Sequence, residues 1–160
     1  CSPRRSRTRL SAAVSERMLH EYWLPHFKDC IVEGGALSIM ASYNAINGVP
    51  NNINKPLLTD ILKGQWGFQG FVVSDWGSIG EMVPHGYSEN LEHAAQQAIT
   101  AGSDMDMESR AYVGHLAGLV KAGKVDTKLV DDAVRRWSDA EGQGGSFAEF
   151  LRAIQRSSGY

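Results

Sequence analysis

The tetrapeptide Ser74-Asp75-Trp76-Gly77 puts an acid and an aromatic ring at the end of the apolar run Phe71-Val72-Val73. Short β-branched runs read as buried strands of α/β proteins, whose C-terminal ends open onto the ligand side of the sheet. Asp75 is therefore placed for a cleft, with an indole beside it, and that pairing suits a sugar. The competing reading is that Asp75 caps the following turn and Trp76 is core, since aspartate is common where turns and helices start.

Other constellations are weaker. Asp104, Asp106 and Glu108 alternate like calcium ligands, but Ser109 stands where an EF-hand demands glycine and His115 where it demands glutamate. His20-Glu21 invites a zinc-protease reading that fails because Leu24 occupies the place of the second histidine. No GxSxG elbow, P-loop or GxGxxG occurs, so neither a metal nor a cofactor is expected. With Cys1 and Cys30 alone, no disulfide framework or CxxC site arises, and Cys30 is expected in a helix core. His85, in the loop after the apolar run, could be a cleft residue, but a solvent-exposed loop histidine is the expectation. Glu81, Glu89 and Glu92 are the carboxylates that follow Asp75 most closely and would have to serve if a second carboxylate lay in this chain.

The elements that must position Asp75 alternate. Behind Ser15, a candidate N-cap, Leu19, Tyr22, Trp23, Phe27, Cys30 and Ile31 recur at helical spacing; Pro25 predicts a kink or restart, and Gly34-Gly35 an end. Residues 36–42 read as a strand and 43–54, rich in Asn, Gly and Pro, as a long loop. A helix is expected behind Pro56, a strand over 71–74, a helix closed by Gly102, a short third strand over 103–106, then helices ending at Gly123 and starting after Asp126. This order predicts parallel βα units with helices covering the sheet. Three strands cannot close a (β/α)8 barrel, which needs about 250 residues.

The chain has 160 residues, 42% of them hydrophobic, and a formal net charge of −2. Such a chain can bury a real core and gives no reason to expect nucleic acid. No apolar stretch approaches the roughly 20 residues needed to cross a bilayer. Residues 1–14, with Arg4, Arg5, Arg7 and Arg9 among serines, read as disordered or foreign to the fold, and 138–160 as a linker-like, non-native tail.

Three separated stretches then point to one family: residues 35–44 (GALSIMASYN), Asn47-Gly48-Val49-Pro50, and residues 66–76 (WGFQGFVVSDW), followed by residues 101–107 (AGSDMDM). The chain resembles the N-terminal barrel domain of glycoside hydrolase family 3, specifically its β-glucosidases, from about residue 15 to residue 136. The resemblance implies a fold of parallel βα units, the later part of a TIM-type (β/α)8 barrel over residues 15–137, incomplete in this chain. It also implies retaining hydrolysis of β-glucosides or oligosaccharides with Asp75 as nucleophile, Trp76 packing on the sugar, Tyr43 beside the nucleophile and orienting it, and Asp104 and Met107 near the cleft at a strand end, where strand-end hydrogen bonding and core packing are the alternative. A tryptophan after the aspartate is similar to β-glucosidases, a cysteine there to β-xylosidases. The family's paired Lys-His, its upstream sugar contacts and its general acid/base have no match here, so catalysis is expected to need the missing barrel strands and a later domain. Family members are often periplasmic or secreted. A non-catalytic fragment with weak sugar binding, another family 3 activity such as β-xylosidase, and an unrelated open α/β domain are the alternatives.

Overall fold

The computed structural model describes residues 11–144. Strand β1 (Ser11–Ala12) pairs parallel with β3 (Ala45–Ile46), and β3 pairs antiparallel with β4 (Val49–Pro50). Asn47 Nδ2 and Oδ1 bridge the main chain of Val14, and Gly48 N donates to Ser11 Oγ. Residues 11–14 are thus part of the fold, against the expectation that the first 14 are disordered or foreign to it. Their partners lie 33 to 37 positions away, so no local periodicity announces them. Residues 1–10 lie outside the described residues. The hairpin was also unexpected within the 43–54 loop, although Asn47-Gly48, with φ of 50° and 82°, is the favoured pair for a two-residue hairpin turn.

Ser15 caps α1 (Glu16–Met18), its Oγ accepting from Met18 N at 3.2 Å. A wide turn over Leu19–Trp23 follows, and α2 (Pro25–Val32) restarts at Pro25, where the first helical position needs no N–H. Their apolar side is uncovered: Tyr22, Trp23, Phe27 and Val32 are exposed, and so is Cys30, which the helical spacing placed in a core. The spacing identifies an apolar stripe, of which Ile31 packs against the core, but among the described residues no element buries Tyr22, Trp23, Phe27 or Cys30.

The central sheet is parallel. β2 (Ser38–Ala41) pairs in register with β5 (Phe71–Ser74), and Val73 makes one further parallel bridge to Met105, to which the third strand is reduced. Ala41, Val72 and Ser74 face a core built with Leu58 and Leu62 of α3 (Pro56–Gln65) and with Phe68. Met40 and Met105, on the opposite face, are 56% and 39% exposed. Parallel sheets are ordinarily covered on both faces; here no element among the described residues covers the one that carries Met40 and Met105.

The second core joins α4 (Ser78–Glu81), α5 (Leu91–Ala101), α6 (Ala111–Lys121) and α7 (Thr127–Gly144) through Ile79, Met82, Ala94, Ala98, Ile99, Leu119 and Ala133. Alanines on α5 allow α6 to approach closely. Asn90 caps α5 through His93 N, and Gly102, at φ 106°, closes it as expected. Helix α7 continues through Ser138 to Gly144 with Ala140 buried, so this part of the expected linker is helical; residues 145–160 lie outside the described residues.

Candidate active site

Strand β5 delivers Asp75 to the C-terminal edge of the sheet, and hydrogen bonds fix the corner that follows. Ser74 N donates to Met105 O at 2.9 Å, Met107 N donates to Ser74 Oγ at 2.9 Å, and Gly77 N donates to Met107 O at 2.7 Å. Gly77 has φ 67°, a left-handed conformation that glycine adopts without strain and that turns the chain into α4. The Asp75 carbonyl accepts from Ser74 Oγ at 3.1 Å, Ser78 N at 3.1 Å and Ser78 Oγ at 2.9 Å. Asp75 Oδ1 accepts from Trp76 N at 2.7 Å. The Trp76 side chain is half exposed.

Tyr43 reaches the corner from the end of β2, its hydroxyl donating to the Trp76 carbonyl. Tyr43 thus binds the backbone of the residue that follows Asp75. Asp75, Trp76, Tyr43 and the main chain of Met107 are brought together. His85 is not a surface residue: its side chain is 2% exposed, with Nε2 3.9 Å from Glu81 Oε2. The loop folds back through Gly86 N to Val83 O and Tyr87 N to Met82 O, carrying the ring inward. Tyr43, Asn52, Ser78, His85 and Tyr87 line a small cavity behind the corner.

The remaining acids have other tasks. Asp104 Oδ1 pairs with Lys63 Nζ at 2.7 Å and its Oδ2 accepts from Val72 N at 2.8 Å, its side chain 6% exposed. Burial pushes the Lys63 ammonium below its ordinary value, with the Asp104 carboxylate pulling the other way. Asp106 accepts from Ala111 N and Tyr112 N at the start of α6. Their oxygens are engaged by protein donors, so the alternating acids are not arranged as a calcium loop. Glu92 pairs with Lys124 on the surface. A wide apolar hollow lined by Trp23, Phe27, Met40, Leu58 and Trp66 holds no charged side chain among the described residues.

Sequence reasoning missed Asn52 and Ser78, which lie directly behind the corner; Asn52 Nδ2 donates to Ser78 Oγ at 2.9 Å. The signal available was slight, an asparagine-rich loop and a serine three residues after the acid.

Residues 8–139 match the N-terminal domain of glycosyl hydrolase family 3. The chain belongs to that family. It is 39% identical over 121 residues to a periplasmic β-glucosidase of Salmonella typhimurium, covering 76% of this chain and 16% of the relative. It is 36% identical over 125 residues to a β-xylosidase/α-L-arabinofuranosidase of Medicago sativa, covering 77% and 16%. A β-glucosidase from Listeria innocua, solved in complex with glucose, superposes with a TM-score of 0.79 at 35% identity, covering 82% of this chain and 18% of that one. The family 3 chain described here thus spans about a sixth of the length of the curated relatives it matches. Its mixed helices and parallel strands correspond to a domain that is a TIM-type barrel in its homologues.

Proposed function

We propose that this family 3 chain supplies the nucleophile for retaining hydrolysis of terminal non-reducing β-D-glucosyl residues by the full-length protein. Asp75 attacks, Trp76 carries the apolar face of the sugar, and Tyr43 and Met107 border the site. The observation that carries this reading is the corner itself. Its backbone is held by the Tyr43 hydroxyl that follows β2, by the Met105 and Met107 carbonyls and by Ser78 of α4, while the Asp75 carboxylate is held by Trp76 N at the open end of a parallel sheet. In the first step a carboxylate oxygen bonds to the anomeric carbon as the bond to the leaving oxygen breaks. An acid about 5–5.5 Å away protonates that oxygen, then acts as base on the water that hydrolyses the glycosyl ester. That acid lies outside this chain in our reading.

The bare sheet face and the uncovered stripe of α2 support reading residues 15–137 as the later part of a barrel whose other strands come from sequence beyond this chain. Periplasm or secretion is the proposed compartment, in line with the name of the Salmonella relative. A β-xylosidase is the second reading, favoured by the Medicago relative; Trp76 favours glucose. The test is release of 4-nitrophenol from β-D-glucoside and β-D-xyloside by the full-length protein and its Asp75→Ala variant. The expected result is faster cleavage of the glucoside, abolished by the substitution. Faster cleavage of the xyloside would select the second reading, and activity indifferent to Asp75→Ala would remove the nucleophile from this site. Asp75-dependent release by the present chain alone would show that it carries its own acid/base.

A further inference from the structure

We infer that Asn52 and Ser78 are positioning residues for the Asp75 carboxylate, acting through the peptide plane between Asp75 and Trp76. The inference rests on the reading of Asp75 as nucleophile. The Asp75 carbonyl and the Trp76 N–H belong to one planar peptide unit, so they cannot turn independently. The carbonyl end accepts from Ser78 Oγ at 2.9 Å, and the N–H end donates to Asp75 Oδ1 at 2.7 Å. Whatever fixes the carbonyl direction therefore fixes the N–H that aims the carboxylate.

The direction of the chain of bonds follows from proton counting. Ser78 Oγ has one hydrogen, given to the Asp75 carbonyl, so its second bond must be accepted, and Asn52 Nδ2 supplies it at 2.9 Å. Both side chains are buried, in the 3-10 turn Asn51–Ile53 and at the start of α4. Asn52 is anchored from behind: its carbonyl accepts from Ser103 Oγ at 2.9 Å, and the Ser103 carbonyl accepts from Tyr112 OH at 2.6 Å. Asn52 Oδ1 is buried and accepts no hydrogen bond among the described residues. An apolar side chain of similar size would avoid that cost, so what the asparagine contributes is its donor.

The test compares Asn52→Leu and Ser78→Ala with Ser88→Ala, which removes a likewise buried hydroxyl whose bond goes to Gln97 and not to the corner. In the full-length protein, both positioning variants are expected to lower kcat for 4-nitrophenyl β-D-glucoside roughly tenfold or more with KM little changed, while Ser88→Ala keeps kcat. Equal kcat losses in all three, in step with their melting temperatures, would make Asn52 and Ser78 merely structural and overturn the inference. A second readout does not need turnover. In the present chain the Trp76 amide proton resonance should move as Asp75 ionises; both positioning variants should lose that response and Ser88→Ala should keep it. Retention of the response in Asn52→Leu and Ser78→Ala would overturn the inference even if the glucosidase reading fails, and wild-type inactivity alone would count only against that reading.

Discussion

Asp75 and Asp104 are the same residue type at neighbouring places in one sheet, and their surroundings differ oxygen by oxygen. Both oxygens of Asp104 are occupied, one by the Lys63 ammonium and one by the Val72 amide, in a site nearly closed to solvent. Asp104 thereby ties α3 and the third strand to the middle of β5. Asp75 is partly exposed two residues beyond the bridge at Val73, with one backbone amide on Oδ1 and its own carbonyl gripped by three donors. A carboxylate whose lone pairs are spent on buried partners holds a fold together. One whose backbone is clamped while its oxygens stay approachable can react.

Two substitutions should separate these roles. Asp75→Ala is expected to cost at least about 10³-fold in kcat/KM of the full-length protein, as loss of a nucleophile does elsewhere, with the urea midpoint unmoved. Asp104→Ala should do the reverse. It leaves Lys63 buried without its counter-charge, and losing one member of a buried pair costs about 3–5 kcal/mol, read as a fall in the urea midpoint while the folded fraction keeps its kcat. If Asp104→Ala proved the more damaging to kcat and Asp75→Ala the more damaging to stability, the assignment would have to be exchanged.

Smaller effects sharpen the contrast. Trp76→Ala removes a half-exposed ring from the corner, so stability should hold while KM rises roughly 3- to 10-fold, the equivalent of about 0.5–1.5 kcal/mol of lost stacking. At the other end of the buried chain, Tyr112→Phe should cost about 1 kcal/mol of stability. Desolvation, with Asp106 and Asp104 nearby, holds the Tyr112 phenol well above its ordinary 10.0. The folded state then keeps a proton that the unfolded chain releases above that pH, so its stability is intact below pH 10 and falls as pH rises further. Tyr112→Phe should flatten this alkaline loss, which urea titrations between pH 8 and 11 would measure.

How far the sequence reached follows the range of the interactions. Helix starts were legible where the signal is local, as at Ser15, Pro25 and Pro56, and β5 with its terminal acid followed from a β-branched run. Which acid was structural was not legible: Asp104 is explained by Lys63, 41 positions earlier, and no spacing rule links the two. A separation of 33 to 37 positions likewise hid the role of residues 11–14. His85 was misread because loop composition says little about whether a turn folds inward, and Cys30 because a helical stripe does not say whether anything covers it. The Asn47-Gly48 hairpin, by contrast, carried a local signal that the loop reading passed over.

The central claim is that Asp75 forms the covalent bond to the sugar, and trapping that bond tests it most directly. A 2-deoxy-2-fluoro-β-glucoside with a good leaving group slows the oxocarbenium-like transition states by its fluorine, so a glycosyl ester should accumulate on the full-length protein. Peptide mass spectrometry should then place one fluoroglucosyl group on Asp75, and Asp75→Ala should remain unlabelled. The group on Asp104, Glu81 or a residue outside this chain would contradict the account.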